Sequence, residues 1–277
     1  MSLVRTLNPL EAQQAVDWAA AEGWNPGLAD LDCFLAQDAG LFLGAFDGGG
    51  LASVISATRY PGFGFIGFYI ARPAARGQGH GIAVWRAGMA QLGGLLVGLD
   101  GVVAQQANYR KSGFALAWRN VRYGGVPHVP PMPHGLVVPA ATLPFAAIEA
   151  MDAQVFPAAR PDFLRAWIAA PGHVALALLL DGAPAGFGVI RPCRNGHKIG
   201  PLVAEDEAGA EALAAALLAR VEPGEVFLDV PEPHAAAVRL AQRLGLAPVF
   251  ETARMYTGPA PRLRMDRLFG IATFELG

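Results

Sequence analysis

The residues with the clearest chemical potential lie in one run, Arg72-Pro73-Ala74-Ala75-Arg76-Gly77-Gln78-Gly79-His80-Gly81, between a predicted strand and a predicted amphipathic helix. Glycines at 77, 79 and 81 let the backbone turn tightly and bring several N–H groups towards one anion. The helix that starts there adds the positive end of its dipole. The chemistry this suits is the binding of a pyrophosphate. A plain strand-to-helix turn explains the same glycines in a chain that holds 34 of them, so the run alone leaves that reading open. A dinucleotide-binding fold is a competing functional reading, of less weight because the turn follows hairpin-like strands and not the first strand of a βαβ unit. Other reactive arrangements are missing. His80, His128, His134, His173, His197 and His234 have no metal-ligand spacing with one another or with Cys33 and Cys193, so no metal is expected. Neither a Gly-x-Ser-x-Gly elbow nor a Gly-x-x-x-x-Gly-Lys-Ser/Thr loop occurs. Cys33 reads as a buried small apolar residue and not as a nucleophile.

The elements that would position this run can be read from pattern. Asn8-Pro9-Leu10-Glu11 is a helix start with capping-box spacing, and Gly23 ends that helix. A short helix near 27–37 follows. Leu41 to Phe46 and Leu51 to Thr58 then flank Asp47-Gly48-Gly49-Gly50, a hairpin signature. Phe63 to Ala71 is a third strand, and Ile82, Trp85, Met89 and Leu92 recur at helical spacing after it. A strand around Leu95 to Leu99, a helix ending at Gly113 and a strand from Phe114 to Tyr123 complete this half.

The Pro/Gly-rich stretch 126–134 suits neither helix nor sheet and reads as a linker between a first domain, 1–125, and a second, 135–277. The second repeats the first in order. Asp47, Asp100, Gly113 and Tyr123 are answered by Asp181, Asp229, Gly245 and Tyr256 at separations of 129 to 134 positions, which points to duplication.

Composition narrows the class. The chain has 277 residues, is 53% hydrophobic and only 16% charged, so a packed core is expected in each half. A net charge of -2 with scattered arginines argues against a nucleic-acid partner. Two cysteines far apart fit a reducing compartment, and cytoplasmic location is the expectation. The first twenty residues match neither a signal peptide nor a membrane span, so no membrane partner is expected.

Arg76-Gly77-Gln78-Gly79-His80-Gly81 resembles the Arg/Gln-x-x-Gly-x-Gly/Ala loop of the GNAT superfamily of acetyl-CoA-dependent N-acetyltransferases. Asn108-Tyr109-Arg110-Lys111-Ser112-Gly113-Phe114 resembles a second landmark of that family, an aromatic followed by Lys-x-Gly-Phe. The resemblance covers residues 1 to about 125. It implies an α/β (more closely α+β) fold of two tandem GNAT-like domains, each a mostly antiparallel central sheet flanked by helices. It implies acetyl-CoA as cosubstrate, with no metal. Tyr69, Ile70 and Ala71 would pair with the pantetheine arm, and residues 76 to 81, Asn108 and Lys111 would complete the cofactor site. Tyr109 would be the general acid that protonates the leaving thiolate, and backbone donors near the cofactor strand would stabilise the oxyanion.

An amine must also lose its proton before it can attack, and no base is marked in the sequence. Glu22, Asp30, Asp32 and Asp100 are the acids placed to line an acceptor cleft, with Trp24 as a wall; ordinary surface and core roles are open for all of them.

The second half departs from the pattern. Its corresponding loop, Ala204-Glu205-Asp206-Glu207-Ala208-Gly209-Ala210, carries three acids and one glycine, and acids repel phosphate. Ala241 stands where the first half has Tyr109. This half is expected to shape the acceptor pocket or to be purely structural, with Arg191 to His197 and Ile199 to Leu202 as its most distinctive segments. The expected activity is acetyl transfer to a primary amine, small or peptidic. A non-catalytic acyl-CoA sensor and a binding module without the cofactor are the rivals.

Overall fold

The computed structural model describes residues 3–128 and 134–277. Much of the expected linker, residues 129–133, therefore lies outside the described residues.

The first half runs β1 (Leu3–Thr6), α1 (Pro9–Ala21), α2 (Asp30–Gln37), β2 (Phe42–Asp47), β3 (Gly50–Tyr60), β4 (Phe63–Ala71), α3 (His80–Gln91), β5 (Leu96–Val102), α4 (Gln106–Lys111) and β6 (Ala115–Gly125). The second runs β7 (Leu136–Pro139), α5 (Phe145–Asp152), α6 (Pro161–Ala169), β8 (Val174–Leu180), β9 (Ala183–Pro192), β10 (His197–Ala204), α7 (Glu207–Leu218), β11 (Val226–Pro231), α8 (Ala235–Arg243), β12 (Ala247–Tyr256) and β13 (Leu268–Gly270). Local chemistry accounts for the boundaries. The Asn8 side chain accepts from the Glu11 N–H and the Glu11 side chain accepts from the Asn8 N–H, so the capping box opens α1. Gly50, at φ 99°, allows the β2–β3 turn, where a side chain would be strained.

All strands join one sheet, in the order β1-β2-β3-β4-β5-β12-β6-β11-β10-β9-β8-β7, with β13 added to β10. Pairing is antiparallel except for β4 with β5 and β10 with β11. Two units of similar strand and helix order are present, and their last long strands are exchanged: β12 lies between β5 and β6, and β6 pairs with β11. Repetition in a sequence shows that each half supplies such a strand but does not say which half receives it.

Buried charge marks the exchange. Arg254 on β12 binds Asp100 on β5, and Arg122 on β6 binds Asp229 on β11, both through paired nitrogens at 2.6 to 2.8 Å. The hydrophobic core crosses the same boundary. Phe34 of α2 stacks on Trp167 of α6 with ring centroids 6.3 Å apart, and Val16, Phe42, Phe68 and Phe163 join the same buried cluster.

Each half also has a bulge where the parallel strands part. On β4, Phe68 and Tyr69 stand against the single Ile55 of β3, and Phe68 takes φ 46°. On β10, Gly200 and Pro201 stand against Val189 of β9. The C-terminal segment, residues 271–277, is buried along its whole length and passes both bulges. A Cβ on Gly67 would lie 2.2 Å from the Glu275 carbonyl oxygen, and one on Gly200 would lie 2.2 Å from that of Ile271, so only glycine admits the segment at either point.

Candidate active site

β4 and β5 pair only from Phe63 with Leu96 to Ile66 with Leu99. Beyond that point they separate. Tyr69 to Ala71 keep β3 on one edge, with Val54 opposite Ile70 and Ser53 opposite Ala71, and their other edge is open. A cleft of about 670 Å³ lies there, lined by Tyr69, Ile70 and Ala71, by Arg76, Gly77, Gly79 and Gly81 of the loop, and by Val102, Ala104 and Gln105 beyond β5. Glu22, Trp24, Ala75, Ile82 and Phe250 complete its walls.

The loop is shaped by its glycines. Gly77 and Gly79 take φ 77° and 87°, with nothing within 4 Å of a notional Cβ, so conformation and not crowding demands glycine there. Gly81 serves differently: a Cβ would stand 3.0 Å from the Tyr69 hydroxyl. Arg76 donates through Nε to the Ala71 carbonyl at 3.0 Å and pairs with Glu22 at 2.5 Å. Gln78 donates to the Ala74 carbonyl at 2.7 Å, tying the loop to its own start. His80 is largely buried at the first position of α3, with Nε2 3.7 Å from an Asp47 carboxylate oxygen. The Gly49 N–H and Arg72 hold that carboxyl below the usual carboxylate range. An open strand edge leading to a glycine-rich helix start suits a long ligand with a chain at one end and phosphates at the other.

A smaller pocket of about 40 Å³ adjoins the cleft and shares Trp24, Tyr69, Val102 and Phe250 with it. Its other walls are Ile66, Gly67 and Phe68 on β4, Leu99 and Asp100 on β5, Tyr109 on α4, Thr252 on β12, and Phe274 and Glu275 of the C-terminal segment. Tyr109 is buried and stacks on Trp85, with ring centroids 5.4 Å apart. Burial pushes its hydroxyl well above the ordinary range, so at neutral pH it holds its proton.

The residues singled out in the sequence are thus divided. Tyr69 to Ala71, Arg76, Gly77, Gly79 and Gly81 face one cleft, and Trp24 stands between cleft and pocket. Gln78 and His80 flank that lining. Asn108 and Lys111 lie exposed on α4, hydrogen-bonded to each other at 3.3 Å, outside the lining of either cavity. Asp30 is not at the cavities, because Arg191 and the Gly27 N–H engage it in the core. Burial alone would raise its carboxyl, but Arg191 and Lys198 outweigh that and hold it low. Asp32 is exposed on α2 and also lines neither cavity. Asp100 lines the pocket, but Arg254 and Asn120 engage its carboxylate. Among the described residues, no group of three or more His, Cys, Asp or Glu is placed to hold a metal ion.

Phe250, Thr252, Phe274 and Glu275 were not legible as site residues. They come from the second half: the exchange of β12 brings Phe250 and Thr252 here, and the path of the C-terminal segment brings Phe274 and Glu275. Of the segments expected to be that half's contribution, Arg194 acts one step away, donating its N–H to the Pro26 carbonyl; Lys198, between those segments, donates to the Asn25 carbonyl, and Arg122 of β6 in the first half donates to that of Trp24. They fix the loop that carries Trp24.

Among the described residues, the corresponding strand edge of the second half is closed. Leu202 and Val203 of β10 correspond to Tyr69 and Ile70, 133 positions earlier, and β13 occupies the edge that is open on β4. Glu207 at the start of α7 binds Arg239 and Arg243 of α8, and Asp206 caps the helix through the Gly209 N–H. Ala241 is buried in the core.

Residues 148–270 match the family described as Acetyltransferase (GNAT) domain, so the match falls on the half without the open cleft. Over 272 residues the chain is 30% identical to the holothin acyltransferase of Pseudoalteromonas sp. (strain SANK 73390), covering 97% of this chain and 92% of that protein. The fold is similar to that of a candidate acetyltransferase from Pyrococcus horikoshii, with TM-score 0.85 and 22% identity over 100% of this chain and 96% of that one. It is also similar to a tandem GNAT protein from the clavulanic acid biosynthesis pathway, with TM-score 0.64 and 16% identity over 94% and 100% of the two chains. With its repeated architecture and its kinship to an acyltransferase along nearly its whole length, the chain belongs to the GNAT superfamily of acyl-transferring enzymes, in the tandem form with a divergent second domain.

Proposed function

We propose that this enzyme transfers an acetyl group from acetyl-CoA to a primary amine, with both substrates bound together in the first half. The observation that carries the reading is the open edge of Tyr69 to Ala71, which leads at one end to the Gly77 and Gly79 backbone and at the other to the pocket holding Tyr109. Acetyl-CoA supplies an activated thioester.

The chain's own residues supply the rest. The β4 edge would bind the pantetheine amides, and the loop amides with Arg76 would bind the pyrophosphate. The bulge at Phe68 and Tyr69 leaves backbone unpaired beside the pocket, a source of donors for a developing oxyanion. Tyr109, protonated at neutral pH, would give its hydroxyl proton to the leaving sulfur. Phe250, Thr252, Phe274 and Glu275 would form the acceptor side, giving the second half a substrate-shaping role. A relative named for holothin supports a small-molecule acceptor.

The test is coenzyme A added in a thermal unfolding series, followed by acetyl-CoA thiol release over a panel of primary amines. A raised melting temperature and amine-dependent thiol release are expected. No shift at millimolar coenzyme A would remove the cofactor assignment. A shift without any thiol release would favour an acyl-CoA sensor.

A further inference from the structure

At neutral pH a primary amine is an ammonium ion, and its nitrogen has no lone pair until a proton leaves. Two carboxylates line the smaller pocket, Asp100 and Glu275. Asp100 is fully engaged: Oδ1 accepts from Arg254 Nε at 2.8 Å and Asn120 Nδ2 at 2.7 Å, and Oδ2 accepts from Arg254 at 2.7 Å. Glu275 is only 4% exposed and is bonded on one oxygen alone. The Thr273 hydroxyl donates to Oε2 while accepting from the Glu275 N–H at 3.0 Å, which fixes the side chain over its own turn. Among the described residues, Oε1 has no hydrogen-bond partner.

We propose that Glu275, carried into the first half by the C-terminal segment, accepts the proton of the acceptor amine and selects small cationic amines for the site. The inference rests on the acyl-transfer reading above. Its physical basis is the pocket's small volume and largely aromatic walls, which include Trp24, Phe68, Phe250 and Phe274. An ammonium drawn in by the carboxylate forms a buried ion pair. One proton jump to Oε1 turns that pair into a neutral amine and a neutral acid, which removes both charges from a medium that disfavours them. Other charges bear on the carboxylate: Arg122 and Arg191 act on it electrostatically, each already paired with Asp229 or Asp30, while Asp100, Tyr69 and Tyr109 share the pocket. The protons balance. Glu275 takes one proton from the ammonium before the N–C bond forms and releases it to solvent; as the C–S bond breaks, Tyr109 gives its proton to sulfur, and the second nitrogen proton restores the Tyr109 hydroxyl.

The decisive experiment compares wild type, Glu275→Gln and Glu275→Asp. In protein labelled with ¹³C at the glutamate side-chain carboxyl, the resonance lost in Glu275→Gln should be that of an ionised carboxylate at about pH 7.5; a protonated group there would overturn the proposal. In turnover, Glu275→Gln should lose about a hundredfold in kcat/KM, keep the melting shift given by coenzyme A, and lose the acidic limb of the pH profile. Glu275→Asp should recover part of the rate. Wild-type turnover with Glu275→Gln equally active and an unchanged profile would sink this role alone. Coenzyme A binding without turnover by the wild type on any amine would sink the acyl-transfer reading and this role with it.

Discussion

Asp100 on β5 and Arg254 on β12 stand directly opposite each other and form a two-bonded ion pair across the boundary between the repeats, with their side chains 0% and 5% exposed. Asp229 and Arg122 repeat the arrangement with the halves reversed. Removal of one partner strands a charge away from water. Asp229→Ala is therefore expected to lower unfolding free energy by about 3 to 5 kcal/mol, and Asp229→Leu with Arg122→Met to recover most of it. Urea unfolding measures both. A single-variant loss under 1 kcal/mol would show that the pair does not hold the exchanged strands.

Tyr109→Phe keeps the ring on Trp85 and removes the hydroxyl. Turnover is expected to fall by about a hundredfold, with the coenzyme A melting shift close to that of the wild type. Equal loss of binding and turnover would instead assign the residue to packing.

Arg76 and Glu22 form an exposed pair at the rim of the cleft. Such a pair contributes little to stability, so it can exchange a carboxylate for a phosphate readily. Arg76→Ala should weaken coenzyme A binding about tenfold, and Glu22→Gln should tighten it about twofold to threefold. Calorimetry in low salt reads both. Weaker binding in Glu22→Gln would contradict the competition.

His173 packs edge-on to Trp167, with Nδ1 2.8 Å from the Trp167 carbonyl. Burial, and then the nearby Arg191, push its pKa down to about 4. The folded value lies below the unfolded one, about 6.5, so stability is full above that pH and falls as pH drops towards 4. With its partial exposure discounted, the loss should be about 2 kcal/mol. His173→Gln should flatten that part of the stability profile. Identical slopes in the variant and the wild type would refute the assignment.

The local features were legible in the sequence because they are local. The capping box at Asn8, the hairpin at Asp47 and the glycines of the loop each answer to a neighbour only a few positions away. The acidic start of α7, where Asp206 caps the helix through the Gly209 N–H, is likewise local and stands in Glu205, Asp206 and Glu207. What could not be read depends on partners more than a hundred positions apart. Asp30 resembled an acceptor-cleft acid until Arg191 was seen beside it, and Phe250 and Glu275 gave no signal, because neither the exchange of β12 nor the path of the last residues has a period or a motif.

The burial of residues 271–277 beneath Gly67 has a consequence for how the protein is made. These residues leave the ribosome after every strand they cover, and β12, which separates β5 from β6, emerges only shortly before them. The first half, although translated first, cannot acquire its finished interior until the second is complete. A chain stalled anywhere before residue 247 would expose the β5 edge and the hollow beside β4, a species suited to chaperones and proteases and unable to assemble the pocket around Tyr109.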